Sequence, residues 1–195
     1  MFINRKLREI QLKIVYYGPA LSGKTTNLEF IHDRTNPKVR GDLVSLKTRE
    51  DRTLYFDFLQ LEMGKVKGLK PRFNLYTVPG QTYYAATRKL VLQGADGVVF
   101  VADSQANRMR DNLISFKDML VHLQQLGYTP AHVPLVIQFN KRDLPDLTPV
   151  SEFKRRLKLN DTIPCFETVA IEGTGIFDTL KAIIGRVVSQ IRQGM

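Results

Sequence analysis

Two short apolar runs, Gly97–Ala102 (GVVFVA) and Val133–Phe139 (VPLVIQF), restrict the fold more than any other feature of this chain. A strand with one face in water alternates polar and apolar residues. A strand without that alternation has to be covered on both sides. Between the two runs, Gln105–Leu126 carries Met109, Leu113, Phe116, Leu120 and Leu123 at helical spacing, which predicts a helix with that stripe in the core. Strand, helix and strand in this order predict neighbouring parallel strands with the helix laid across one face.

The same alternation extends over the rest of the sequence. Glu9–Tyr17 reads as a strand and Lys24–Asp33 as a helix. Thr53–Leu61 and Arg72–Val78 read as a hairpin turning through Gly64 and Gly68. Helices are predicted at Thr82–Leu92, Val150–Leu157 and Ile176–Arg192, with a short strand at Cys165–Ala170. The expectation is an α/β fold with a mostly parallel central sheet covered by helices on both faces, formed by residues 1–195 as one domain. Ligands of such sheets bind in the loops beyond the carboxyl ends of the strands. The chemically distinctive residues of this chain fall in those loops.

The first of them is Gly18-Pro-Ala-Leu-Ser-Gly-Lys24-Thr25, directly after a strand and opening a helix, which fits G-x-x-x-x-G-K-[ST]. Glycines let the backbone fold back until several N–H groups point into one cavity, and the helix start adds positive potential. Gly18, Ala20, Leu21, Ser22, Gly23, Lys24, Thr25 and Thr26 are therefore the expected phosphate cradle. Lys24 would bridge the β- and γ-phosphates and the Thr25 hydroxyl would ligate Mg²⁺. Such a loop does not distinguish ATP from GTP.

Asn140-Lys-Arg-Asp143, after the second apolar run, fits N-K-x-D. A carboxylate at Asp143 can accept from guanine N1–H and from its exocyclic amine together, whereas adenine has no donor at N1. Asn140 would bond another edge of the base and the stem of Lys141 would cover the ring. Thr168-Val169-Ala170, after the next strand, is the loop expected above the guanine, with Val169 and Ala170 as contacts.

Between these motifs stands Thr77-Val-Pro-Gly-Gln81. Gly18–Thr25, Thr77–Gln81 and Asn140–Asp143, in this order, resemble the Ras-like small GTPases. TVPGQ in place of D-x-x-G-Q, with "DRTLYFDFL" and "FNKRDLP", resembles the MglA family of bacterial gliding and polarity GTPases, from about Arg8 to Ile191. The resemblance implies a P-loop G domain that binds GTP and GDP with Mg²⁺ and hydrolyses GTP slowly until an activator engages it. It implies Gln81 as the residue orienting water, and a Gly80 N–H meeting the γ-phosphate. It also implies Thr53 closing over Mg²⁺ beside Thr25, and Arg52 as an internal arginine finger, with Arg49 as the runner-up. Its implied partner is a homodimeric roadblock-fold activator of the MglB type, acting with downstream polarity or motility effectors. The resemblance also implies a shift of the strand following Gly41 between nucleotide states. A two-residue slip would leave every side chain of that strand on its own face.

The anomaly is Thr77, which occupies the place of an acid that acts on Mg²⁺ mostly through water. A threonine can position a water but adds no charge, so weaker Mg²⁺ binding is expected. Asp57, on the facing strand of the hairpin, and Asp103, ending VVFVAD, are the acids that could substitute.

Composition supports an ordinary globular protein, with 43% hydrophobic and 25% charged residues. No run of about 20 apolar residues could span a bilayer, and neither end carries a lipidation or secretion signal. One cysteine, Cys165, offers no internal disulfide. The expected location is cytoplasmic, with recruitment to a cell pole by protein partners, and the expected free state is a monomer. The formal charge of +10 attracts anions, but the basic residues are scattered and no nucleic-acid motif accompanies them. A GTP-binding scaffold with negligible hydrolysis is the competing expectation. A P-loop kinase or ATPase would leave Asn140–Asp143 without a role.

Overall fold

The computed structural model describes residues 1–47, 53–81, 84–129 and 133–194. Its strands are β1 (Phe2–Asn4), β2 (Glu9–Tyr17), β3 (Val44–Lys47), β4 (Thr53–Glu62), β5 (Lys70–Thr77), β6 (Gly97–Asp103), β7 (Leu135–Asn140) and β8 (Cys165–Glu167). Its α-helices are α1 (Lys24–Arg34), α2 (Ala85–Leu92), α3 (Met109–Gln125), α4 (Val150–Leu157) and α5 (Ile176–Gly194). The strands form one sheet in the order β3-β4-β5-β2-β6-β7-β8, with β1 against β2. β5, β2, β6, β7 and β8 run parallel, whereas β3 and β4 are an antiparallel flap on the β5 edge.

Alternation along each buried strand separates two cores. In β2, Ile10, Leu12, Ile14 and Tyr16 meet Leu28 and Ile31 of α1 and Ile176, Leu180, Ile183 and Val187 of α5. Val15 and Tyr17 face the other way, toward Val91 and Leu92 of α2, Phe116 and Met119 of α3 and Phe153 of α4. β6 divides similarly, Val99 and Val101 to the first side, Val98 and Phe100 to the second. Each such side chain removed from water contributes about 1.5–3 kcal/mol. This two-sided burial is why the runs lack alternation.

Three details differ from the sequence expectation. β1 and β3 are additional strands. In α3, Leu120 is 40% exposed, and Met119, fully buried, takes its place. The buried ridge runs Met109, Asn112, Phe116, Met119 and His122, because the helix turns its 3–4 spacing one residue away from the leucines. α2 begins at Ala85, and Thr82 and Tyr83 lie outside the described residues. Among the described residues, no helix is long and apolar enough to cross a membrane.

The β3–β4 ladder changes register by two residues within its short length. Ser45 pairs with Asp57, and Lys47 with Thr53. On the other side β4 pairs evenly with β5, from Glu62–Arg72 to Phe58–Tyr76. One step beyond that last pair, Asp57 faces Thr77.

Candidate nucleotide site

At the carboxyl ends of β2, β5, β6 and β7 lies a cavity of about 400 Å³. Ala20, Gly23, Lys24, Thr25 and Thr26 line it from the phosphate loop, Val78, Gly80 and Gln81 from TVPGQ, Asn140, Lys141 and Asp143 from NKRD, and Ala170 with Ile171 from the loop after β8. The motifs spread along the sequence therefore converge on one space. Ile171 is an addition to the sequence expectation. Val169 is buried behind this wall, where it bridges Thr174. Gly18 and Ser22 are buried within the loop and do not line the cavity.

The phosphate loop is held in a conformation its glycines permit. Gly23 has φ 97°, and a Cβ there would meet Asn140 Nδ2 at 2.2 Å. Lys24 is 6% exposed. Its Nζ donates to the carbonyls of Gly18 at 3.1 Å and Pro19 at 2.7 Å. An ammonium has three protons, so one is left for an oxygen in the cavity. Burial pulls the Lys24 pKa from 10.5 down to about 7; the Asp57 carboxylate opposes that shift, and Arg88, Arg108 and Lys141 add to it. A loop that lowers the pKa of its lysine is a site prepared for added negative charge.

On the base side, Asn140 is a clamp rather than a side chain lying open toward the base. Its Nδ2 donates to the Ser22 carbonyl at 2.8 Å. Its Oδ1 accepts from the Ala170 N–H at 2.9 Å and from the Thr168 hydroxyl at 3.1 Å. One buried amide thus joins the phosphate loop to the β8 loop. Lys141, at φ 67°, directs its Nζ to Asp103 at 2.7 Å. Asp103 also accepts from the Gln105 N–H. Of the two acids that could substitute for Thr77, Asp103 is thereby engaged as a loop-capping brace on the base side. Asp143 stands exposed at the rim, as a residue that meets a base must.

On the hydrolysis side, Gly80 lies against the phosphate loop so closely that a Cβ would meet Ala20 N at 2.3 Å. The Gln81 carbonyl accepts from Arg88 Nη1. Arg88, 3% exposed, also donates to the Tyr17 hydroxyl at 3.0 Å and pairs with Asp118. Arg108 donates to the Ala20 carbonyl at 2.8 Å. These two arginines brace the segments flanking the site. No linear motif marks them, and only the packing of α2 and α3 brings them there. Thr53 opens β4, while Arg49 and Arg52 lie outside the described residues.

The threonine in place of the acid is not alone. The Thr77 hydroxyl donates to Asp57 Oδ2 at 2.6 Å and accepts from the Asp57 N–H at 2.9 Å. Thr25 Oγ1 donates to the same carboxylate oxygen at 2.6 Å, and Ser45 to the other. Among the described residues no cluster of three His, Cys, Asp or Glu side chains could hold a metal. A cation here would draw most of its oxygens from phosphates and water, which suits Mg²⁺.

The sequence model of the ADP-ribosylation factor family matches residues 1–187. The chain belongs to this family. It is a small GTPase, and guanine nucleotide is its ligand. The mutual gliding-motility protein MglA of Myxococcus xanthus is 51% identical over 99% of this GTPase and 98% of its own length. Human ADP-ribosylation factor-like protein 4C is 28% identical over 78% of the GTPase and 72% of its own length. The Ras-related protein Rab-32C of Dictyostelium discoideum is 26% identical, over 90% and 72%.

Proposed function

We propose that this GTPase is a nucleotide-state switch for cell polarity and gliding motility, acting through protein partners that read its GTP form. The observation that carries the reading is the 51% identity, along nearly both whole chains, to a protein named for gliding motility. The convergence of phosphate loop, TVPGQ and NKRD on one cavity supports it.

In this reading the backbone of Gly18–Thr26 cradles the phosphates, and Lys24 turns its remaining proton to them. Asp143 accepts from the guanine edge, under a roof made by Lys141 and Ala170. Asn140 fixes the distance between phosphate loop and base loop, so the nucleotide meets a preformed site. Thr25 and Thr53 would hold Mg²⁺, which would neutralise charge on the phosphate oxygens. Gln81 orients the attacking water, its backbone fixed by Arg88, and the Gly80 N–H faces the transferred phosphoryl group. Arg52 supplies positive charge from its own chain. A roadblock-fold, MglB-like dimer engaging the GTPase would raise its turnover. Cytoplasmic location and partner-driven recruitment to a cell pole belong to the same proposal, as does a G domain extending over the whole chain.

The test is single-turnover hydrolysis of GTP and of ATP at saturating Mg²⁺, with Arg52→Ala alongside. GTP turnover, absent with ATP and about 10³-fold lower in the variant once an MglB-type protein is added, is the expected result. Unchanged turnover in Arg52→Ala would remove the finger from the mechanism. Tight GTP binding without turnover in the presence of the activator would leave a scaffold.

A further inference from the structure

We propose that the end of the sheet opposite the nucleotide cavity is a docking surface for anionic phospholipid bilayers, built from two hairpin turns and the end of α5.

β2 and β5 start at this end, with Glu9 beside Lys70, and finish at the nucleotide cavity, about 25 Å away for strands of this length. The turn from β1 into β2 carries Arg5, Lys6 and Arg8. The turn from β4 into β5 carries Lys65, Lys67 and Lys70, and all six side chains are exposed. The two turns touch, because the Lys70 N–H donates to the Arg8 carbonyl at 2.7 Å. Lys67 Nζ donates to the Arg192 carbonyl at 3.3 Å, which adds the exposed Arg192 of α5 to the cluster. The acids of these segments, Glu9 and Glu62, both pair with Arg72. Among the described residues none of the cluster's cations is in an ion pair. Cations spread along the sequence are thus gathered at one end of the fold.

Two of them are held where the backbone does not favour them. Arg8 has φ 53° and Lys67 has φ 48°, in the left-handed region that glycine enters without strain. Lys67 and Gly68 form the tip of a tight turn closed by reciprocal backbone bonds between Val66 and Leu69. Asparagine or aspartate before glycine is the favoured pair in such a turn. Lysine puts a charge at the tip instead, at a conformational cost.

Apolar side chains are interleaved with these charges. Leu7, between Lys6 and Arg8, is 58% exposed, Met63 is 37% exposed and Phe2 65%. Each cation at an anionic surface contributes a factor of about five to partitioning, and apolar side chains among the cations enter the headgroup–acyl boundary. Nucleic acid requires a groove that follows the phosphates, or an element that enters a groove of the duplex. Two turn tips and a helix end make a blunt face instead. A bilayer against that face leaves the nucleotide cavity turned away from the membrane.

The experiment is co-sedimentation of the full GDP-loaded chain with vesicles of phosphatidylcholine alone, or with about 30% phosphatidylglycerol, at about 0.1 M salt. Wild type should sediment with the anionic vesicles and not with the neutral ones. Lys6→Glu/Lys67→Glu should weaken that binding about 100-fold or more. Lys154→Glu/Arg155→Glu changes net charge equally from the exposed face of α4, and should stay within about threefold of wild type. If melting curves show that Lys6→Glu/Lys67→Glu does not fold, Lys6→Gln/Lys65→Gln takes its place, with an expected loss of about 25-fold. The chain has no tryptophan, so Leu7→Trp supplies a single reporter whose emission should shift to the blue on anionic vesicles. Equal losses in the turn and α4 variants, or no binding of wild type to anionic vesicles, would overturn the proposal. An unshifted Leu7→Trp spectrum in vesicle-bound protein would do the same. Binding to a DNA duplex tighter than to anionic vesicles at the same salt, and lost in Lys6→Glu/Lys67→Glu, would assign this end to nucleic acid and overturn it as well.

Discussion

The two ends of the nucleotide cavity are built by different principles. The base end stands on parallel strands, and its parts are locked to one another. Asn140 joins three segments, and Lys141 is anchored by an Asp103 that also caps its own loop. The phosphate-hydrolysis end depends on an antiparallel flap, β3–β4, whose register changes within a few residues. Asp57 belongs to that flap, and its carboxylate accepts from the Thr25 hydroxyl of the phosphate loop. A parallel strand embedded between neighbours cannot slip without breaking ladders on both sides. The β3–β4 flap, moving as a pair, has one ladder to break, that with β5, and a switch needs one such movable part beside one fixed part. The difference assigns recognition to the rigid half and state-dependence to the other.

The largest effect should come from unlocking the fixed half. Asn140→Ala leaves the Ser22 carbonyl, the Ala170 N–H and the Thr168 hydroxyl without their partner. Buried groups of this kind cost about 1–3 kcal/mol each when orphaned. Nucleotide affinity should fall about 100-fold or more, and the melting temperature of the nucleotide-free protein should fall with it. Equilibrium mant-GDP titration and thermal unfolding are the measurements. If affinity drops while the melting temperature holds, Asn140 is a base contact and not a clamp, and the contrast between the halves loses its strongest element.

How far the sequence reveals each half follows the same line. The fold was legible because strands buried on both faces cannot hide: GVVFVA and LVIQF have no polar alternation to confuse with a surface strand. The base end was legible because its residues are consecutive in Asn140–Asp143. Asn140's work as a clamp was not, since the partners come from α1's entry loop and from the β8 loop. At the other end the motif itself misleads. A linear pattern looks for an acid at Thr77, whereas the carboxylate bonded to Thr77 is that of Asp57, reached across the hairpin by counting the β4–β5 register from Phe58–Tyr76 to the next pair. Arg88 and Arg108 carry no sequence signal, because helix packing alone delivers them to Gln81 and Ala20. Leu120 was misplaced because an evenly spaced leucine stripe gives the period of a helix but not which edge of the stripe meets the sheet.

An intermediate effect is expected where the movable half touches the fixed one. Gly80→Ala introduces a methyl at the place where 2.3 Å separates it from Ala20 N. Backbone cannot yield there, so the TVPGQ segment has to back away from the phosphate loop. Displacement of a positioning group by about 1 Å costs on the order of 10²-fold in rate. Single-turnover hydrolysis should therefore fall 10–100-fold while GDP affinity changes less than threefold. Equal losses in both would show that Gly80 supports the cavity as a whole, and the division between the halves would not hold at that residue.

The smallest effect is a proton. With its pKa drawn down to about 7, Lys24 is increasingly neutral above that pH in the nucleotide-free protein, while phosphates in the cavity restore its charge. Binding then takes up a proton above pH 7, so affinity declines as pH rises, by less than tenfold between pH 7 and 8. Below pH 7 the lysine is protonated in both forms and contributes no slope. Stability of the empty protein has the opposite dependence. A lysine whose folded pKa lies below its unfolded 10.5 holds fewer protons when folded, so its burial penalty is full below pH 7 and relieved as pH rises toward 10.5. Calorimetric GDP titrations at pH 8, in buffers of different ionisation heat, would count the proton directly. Lys24→Arg, always charged, should bind without that uptake. If the uptake persists in Lys24→Arg, the proton belongs to another group and the phosphate loop is not where the empty site withholds charge. If it disappears, Lys24 is the group that the incoming phosphates recharge, and the empty phosphate loop is where the site withholds charge.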